Sequence, residues 1–270
     1  MTLQAPPRLR LTAITREFPL PRGQTRKVLD GISMSVEPHE FVSILGPSGA
    51  GKSTLFTLIA GLDRPTSGTI ELDGTDITGT PAHAAYMPQQ DLLFPWRTIA
   101  ENTALGLEVQ GVPRRKARAQ ARDLFARFGL AGFEDAYPFE LSGGMRQRAA
   151  LLRTVAQQRP TLLLDEPFGA LDALTRMQLQ DWLQQVWAEN SWTALLVTHD
   201  IREALILSDR VVVLSPRPAR VRLSLAVDLP RPRDIAVTTT PEFGRLERTL
   251  LEAVTGADDP SPALAAPTQF

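Results

Sequence analysis

Apolar positions along this chain fall into two patterns, short solid runs and helical stripes. Phe41-Val42-Ser43-Ile44-Leu45 is a compact apolar run and predicts a buried strand. It feeds Gly46 to Gly51, and a helical pattern follows from Lys52 to Leu62. Residues 8 to 45 read as short strands broken by turns, with Pro19-Leu20-Pro21-Arg22-Gly23 as a loop signal. Residues 66 to 79 alternate around Asp73-Gly74, which suits a small hairpin. From about 98 to 157 the pattern turns helical. One segment, 113 to 128, opens with proline and is rich in Arg, Lys and Ala; another, 142 to 157, opens with a serine suited to capping. Three more strand-like runs follow at 161–164, 194–198 and 211–214, with helical patterns between them.

Strand, helix, strand at these spacings predicts an α/β fold with a mostly parallel sheet. A sheet-containing core is expected over 1–88 and 159–230, interrupted by a helical insert over 89–158. Residues 231–270 make a short C-terminal extension. Its end, DDPSPALAAPTQF, lacks periodicity and reads as a loose, disordered tail.

Composition narrows the function classes. The 270 residues carry a formal net charge of -1, so no broad polyanion-binding surface is implied. The absence of cysteine rules out disulfides, thiolate metal sites and cysteine nucleophiles. The start, MTLQAPPRLRL, has no apolar core of a secretory signal. No run approaches the roughly 18 apolar residues of a spanning helix, so any membrane role is expected through a partner.

Gly46-Pro47-Ser48-Gly49-Ala50-Gly51-Lys52-Ser53, followed by Thr54, has the form G-x-x-x-x-G-K-S between a predicted strand and a predicted helix. The glycines let the backbone turn tightly and aim its N–H groups inward, where they and the helix start favour phosphate charge. Lys52 can reach the β- and γ-phosphates, and the Ser53 hydroxyl can ligate Mg²⁺. The motif alone marks nucleoside triphosphate binding. Neither Asn102 nor Asn190 is followed by lysine, so the guanine-reading Asn-Lys-x-Asp is missing, which argues against a GTPase.

Thr161-Leu162-Leu163-Leu164-Asp165-Glu166-Pro167 is an apolar strand ending in two acids. Carboxylates at the C-terminal end of a buried parallel strand fall beside the phosphate loop. Asp165 suits the Mg²⁺ shell, and Glu166, on the opposite strand face by alternation, could polarise a water aimed at the γ-phosphate. In Leu141-Ser142-Gly143-Gly144-Met145-Arg146-Gln147-Arg148 two glycines open a helix after a serine cap. Ser142, Gly143 and Gly144 would thus offer backbone N–H groups to a second anion. One nucleotide needs only one such helix end, so two copies pairing head to tail would resolve the surplus.

These motifs together, with LSGGM close to the hallmark LSGGQ, give the chain a strong resemblance to the ATP-binding-cassette (ABC) ATPases over most of residues 8–230. The resemblance implies a RecA-like core with an antiparallel β portion and an inserted helical subdomain. It implies ATP with Mg²⁺, a homodimer in the ATP-bound state, and no nucleic-acid partner. The family's glutamine that links metal and attacking water falls on Gln89 in Tyr86-Met87-Pro88-Gln89-Gln90-Asp91, with Gln90 as the alternative; Pro88 stands where many relatives carry Phe. Phe18 falls where the family stacks an aromatic on adenine. Gly169-Ala170-Leu171-Asp172 resembles the loop that crosses the dimer interface, and Leu196-Val197-Thr198-His199-Asp200 the switch segment, with His199 contacting γ-phosphate. His39 and His83 match no motif.

Met145, the segment Leu92-Leu93-Phe94-Pro95-Trp96-Arg97-Thr98 and the stretch Leu229-Pro230-Arg231-Pro232-Arg233-Asp234 resemble the importer branch for nitrate, sulfonates, taurine and pyrimidine precursors of thiamine. That implies a peripheral subunit on the cytoplasmic face of the cell membrane, with permease subunits and, indirectly, a solute-binding protein as partners. Trp96 either anchors a membrane subunit or fills the lobe's core. Trp182, Trp187 and Trp192 suit core or edge packing, and Arg114, Arg115, Lys116, Arg118 and Arg122 suit a solvated helix face. The alternatives are a soluble ABC ATPase of nucleic-acid metabolism and an exporter ATPase.

Overall fold

A computed structural model describes residues 8–169, 171–190 and 192–256. The strands are β1 (Leu9–Pro19), β2 (Thr25–Val36), β3 (Phe41–Leu45), β4 (Ser67–Leu72), β5 (Thr75–Asp76), β6 (Ala85–Met87), β7 (Thr161–Asp165), β8 (Thr193–Val197), β9 (Arg210–Leu214) and β10 (Val221–Ala226). The helices are α1 (Lys52–Ile59), α2 (Ile99–Val109), α3 (Arg114–Arg122), α4 (Gly143–Val155), α5 (Ala173–Asn190), α6 (Ile201–Leu207) and α7 (Pro241–Thr255).

The solid apolar runs become the centre of a six-stranded sheet, ordered β10-β9-β3-β8-β7-β6. β9, β3, β8, β7 and β6 run parallel, and β10 closes the edge antiparallel to β9. These runs lack polar alternation because both faces are covered. Phe41, Leu45, Leu162, Leu164 and Leu196 enter one apolar cluster with α4, α5 and α6. Val42, Ile44, Leu163, Leu195 and Val197 enter the other, with α1 and the second sheet.

That second sheet is antiparallel, ordered β2-β1-β4-β5. β1 and β2 are 11 and 12 residues long, where the pattern predicts shorter pieces. The cause is a bulge: Leu9 and Leu11 are buried in alternation, Ala13 takes φ 49°, and Ile14 resumes the buried face one position late. A slipped period reads as a break although the strand continues. The β4–β5 hairpin forms as expected, with Asp73 and Gly74 both at positive φ, as a two-residue type I′ turn needs.

Between β6 and β7 lie α2, α3 and α4. Thr98 caps α2 in a reciprocal box with Glu101, and Ser142 caps α4. The predicted helix over 113–128 is split: α3 stops at Arg122 and a single 3₁₀ turn covers Phe125–Phe128 before Gly129 at φ 63°. α3 buries Ala117 and Ala121 and pairs its basic side with Glu101, Glu108 and Asp135. Trp182, Trp187 and Trp192 are partly buried against the large cluster.

Beyond β10 the pattern predicts no element, yet α7 is a 15-residue helix with a Thr240 cap and Pro241 in its first turn. Its Phe243 and Leu250 are fully buried. The predicted loose tail lies outside the described residues. Among the described residues no helix is long and apolar enough to cross a membrane.

Candidate functional site

The loop from β3 to α1 carries the phosphate motif. Gly49 and Gly51 have φ 77° and 101°, and a Cβ on Gly51 would lie 2.7 Å from Val28 Cγ1. Only glycine therefore fits where the loop enters α1. No side chain caps α1, so its first N–H groups remain directed at the loop. Lys52 is buried and its Nζ donates to Gly46 O at 2.8 Å and Pro47 O at 3.0 Å. Burial lowers its pKa, opposed by the charges of Glu166 and Asp165.

Asp165 ends β7 and is 2% exposed. Burial raises its pKa, as does the Glu166 charge; hydrogen bonds from Ser53 and Tyr86 and the charge of Lys52 act the other way. Its Oδ1 is buried with no hydrogen-bond partner. A buried carboxylate oxygen left unpaired beside a serine hydroxyl is a donor set that fits Mg²⁺, a hard cation that takes one or two protein oxygens and completes its shell with water and phosphate. Among the described residues no group of three or more His, Cys, Asp or Glu forms a cage of its own.

Strand alternation ends at Asp165. Glu166 has φ 48°, its N–H donates to Val197 O at 2.9 Å, and its carbonyl accepts from Gly169 N at 3.2 Å. Its presentation is set by this left-handed turn rather than by the pleat of the strand. Gln89 Nε2 donates to Glu166 Oε2 at 3.0 Å, and His199 Nδ1 lies 3.6 Å from Glu166 Oε1. Of the two adjacent glutamines, Gln89 makes this contact.

Ser53, Asp165, Glu166, Gln89 and His199 thus form one chain of contacts at the C-terminal ends of β3, β6, β7 and β8, with both acids acting on Lys52 through their charge. The interactions of the other predicted residues run elsewhere. Ser142 Oγ accepts from Met145 N at 3.3 Å, and Asp172 Oδ1 accepts from Thr175 N at 3.0 Å. The Phe18 ring has the Arg16 guanidinium over it at 4.5 Å. Ser142 and Gly143 are exposed at the start of α4.

Two contributors escape the motif reading. Tyr86 hydrogen-bonds Asp165, and burial raises its pKa; its one signal is a phenol on a short apolar strand next to the acidic one. Arg153, on α4, donates to Leu92 O at 2.7 Å and Asp91 O at 2.5 Å, while Arg146 Nε meets Asp91 Oδ2 at 3.2 Å. Together they strap the segment after Gln89 to α4. That segment exposes Trp96, 71% accessible and stacked on Phe94 with centroids 5.1 Å apart. Trp96 therefore does not fill the lobe's core.

A glycine loop leading from a parallel strand into a helix, with an acidic pair on a neighbouring strand, defines a P-loop nucleoside triphosphatase. The family described as ABC transporter matches residues 29–169, and the chain belongs to that family. It is 46% identical over 227 residues to an uncharacterized ABC transporter ATP-binding protein, MJ0412, of Methanocaldococcus jannaschii, covering 84% of this chain and 85% of that protein. It is 42% identical over 241 residues to the nitrate import ATP-binding protein NrtD of Synechocystis sp., covering 87% and 90%. The taurine import ATP-binding protein TauB of Pseudomonas entomophila is 44% identical over 220 residues, covering 82% and 84%. Among solved structures, the dimeric bacterial ABC transporter cassette MJ0796 superposes with TM-score 0.75 at 29% identity, over 82% of this chain and 99% of that one. A post-hydrolysis form of the same cassette with ADP and phosphate gives 0.74 at 28% identity.

Proposed function

We propose that the chain is the ATP-hydrolysing subunit of an importer for a small anion or related solute of the nitrate, taurine, sulfonate or pyrimidine-precursor type. It works as a dimer against integral-membrane permease subunits, on the cytoplasmic face of the cell membrane, with a solute-binding protein acting indirectly. The observation that carries this reading is the contact of Gln89 and His199 with the two oxygens of Glu166, beside Lys52 and Asp165. The names of the nitrate and taurine relatives support the solute class.

In this reading the loop N–H groups and Lys52 hold the β- and γ-phosphates of ATP. Phe18 takes the adenine, and Ser142, Gly143 and Gly144 of a second copy close over the γ-phosphate, with Asp172 at the shared interface. Ser53, Asp165 and Gln89 would hold Mg²⁺, which supplies charge neutralisation at the phosphates when bound. Glu166 accepts the proton of the attacking water, while Gln89 and His199 fix its carboxylate. Catalysis rests on positioning and on charge placed in advance. Loss of the γ-phosphate loosens the pair and moves the helical insert, and the exposed Phe94–Trp96 face passes that motion to the permease.

Co-purification with an apolar integral subunit, and ATPase activity that duplex nucleic acid leaves unchanged, are the expected outcomes. Duplex-stimulated activity without any integral partner would overturn the transport reading. With cysteines introduced at both Ser142 and Ser48, a bifunctional thiol reagent should link two copies under ATP with hydrolysis blocked, since the chain has no cysteine of its own; no crosslink would remove the closed dimer.

A further inference from the structure

α6 begins two residues after His199, behind the cap Asp200, and reads Ile201-Arg202-Glu203-Ala204-Leu205-Ile206-Leu207. An acid in a first helical turn is ordinary on the surface, but Glu203 is turned inward and is 5% exposed. Its Oε2 accepts the Thr198 hydroxyl, and its Oε1 accepts from Gln180 Nε2 of α5 at 3.0 Å. Thr198 and Gln180 are buried too. Thr198 Oγ1 in turn accepts from Asp200 N at 3.1 Å, and Asp200 Oδ1 accepts from Arg202 N at 2.9 Å and Glu203 N at 3.1 Å. The residues on both sides of His199 are therefore tied into one network whose hub is Glu203.

The imidazole itself is 66% exposed, so packing does little to hold it. Its place 3.6 Å from Glu166 Oε1 is inherited from the backbone at 198 and 200. A buried carboxylate is costly, and an apolar side chain would fill this position with less penalty. Burial holds the Glu203 carboxyl up at about 7, which agrees with that cost. A costly polar hub under an exposed functional side chain is what a site supported from below requires.

We propose that Glu203 is a positioning residue for His199: through Thr198 it fixes the backbone that holds the imidazole against Glu166, and through Gln180 it anchors that backbone to α5. The inference rests on the ATPase reading above, and its test separates the two.

The experiment uses the full chain and measures ATP turnover, nucleotide affinity and the imidazole carbon resonances together. The chain has three histidines, so the His199 signal is assigned with a His199→Ala control. Glu203→Ala should lower kcat about tenfold or more with ATP affinity within about twofold, and should shift or broaden the His199 resonance while those of His39 and His83 stay put. Glu203→Gln, which can still bond Thr198 and Gln180, should recover most of kcat. In a His199→Ala background, Glu203→Ala should add no further loss, because residues acting as a unit are not additive. Where Glu203→Ala folds poorly, Thr198→Val should reproduce the kcat loss and the resonance shift.

Equal fold-losses in both backgrounds, or an unmoved His199 resonance in Glu203→Ala and Thr198→Val, would overturn the proposal. A wild-type chain that binds ATP without hydrolysing it, alone or with permease subunits, would instead overturn the function on which it rests.

Discussion

Gln89 Nε2 donates to Glu166 Oε2 across 3.0 Å, joining the exit of β6 to the end of β7. The same carboxylate meets His199 through its other oxygen, so it is held from two directions. Glu166→Gln keeps the size of the side chain but removes its basicity. Turnover should fall by about 10² to 10³, as for loss of a general base, with ATP binding retained and a stable dimer appearing under ATP. Phosphate release and size-exclusion chromatography measure the two effects, and wild-type turnover in this variant would take Glu166 out of its role.

Lys52 is the cation buried in the phosphate loop, bonded to the carbonyls of Gly46 and Pro47. Lys52→Ala removes one charge-assisted contact to phosphate, worth about 1.5–3 kcal/mol. Calorimetric titration should show ATP binding weakened by roughly ten- to a hundredfold; an unchanged affinity would contradict the assignment.

Trp96 and Phe94 stack in parallel on the surface of the insert, a rigid aromatic face of the kind interfaces use as anchors. Trp96→Ala should weaken or uncouple docking to the permease while the isolated subunit still hydrolyses ATP. Reconstituted vesicles that assemble and transport normally would count against an anchor.

Arg233 is 3% exposed, and its guanidinium donates to the carbonyls of Leu205, Ser208, Val227 and Leu229. Burial lowers its pKa to about 10. Arg233→Met fills the space but strands these acceptors, at about 3 kcal/mol or more. Denaturant titration should show a lower midpoint at unchanged slope.

Glu203 predicts a pH dependence of stability. Its carboxyl rises from 4.5 to about 7, by burial foremost and by the nearby Asp200 charge, against the Thr198 and Gln180 bonds and the Arg176 charge. The folded state then holds this proton more tightly than the unfolded one. The contribution is complete below about pH 4.5 and is lost as the pH rises through about 7. Glu203→Gln cannot titrate, so its unfolding free energy, read from denaturant titrations at each pH, should gain on wild type across that window by an amount on the order of 3 kcal/mol at most. A difference flat in pH would show that Glu203 does not carry the shift.

The parallel core was legible because its strands are buried on both faces, so Phe41–Leu45 and Thr161–Asp165 stand out as solid runs bounded by functional turns. The phosphate loop and acidic pair are local in sequence, and adjacency along the chain was enough to find them. β1 was less legible because the slip at Ala13 hides its period. α7 does carry helix signals, a Thr240-Pro241 start, apolar residues at 243, 246 and 250 and a Gly256 stop, but it lies past the motif-bearing core, among proline-rich stretches that obscure them. Tyr86, Arg153 and the Glu203 network act through residues distant in sequence, and no spacing rule reports such contacts. Which of Gln89 and Gln90 meets Glu166 is likewise a matter of a contact rather than of a pattern.

α6 is only seven residues long, yet it is gripped from both sides. Asp200 and Glu203 hold its start, Arg233 terminates it, and Arg202 Nε reaches Glu247 of α7 at 2.7 Å. Chimeric cassettes that exchange tails at the end of β9 would therefore transplant half of the mounting of α6 along with the tail. A junction placed after Gly256 leaves that mounting intact, and the difference between two such hybrids would reveal how much of the motor's timing is written outside its nucleotide motifs.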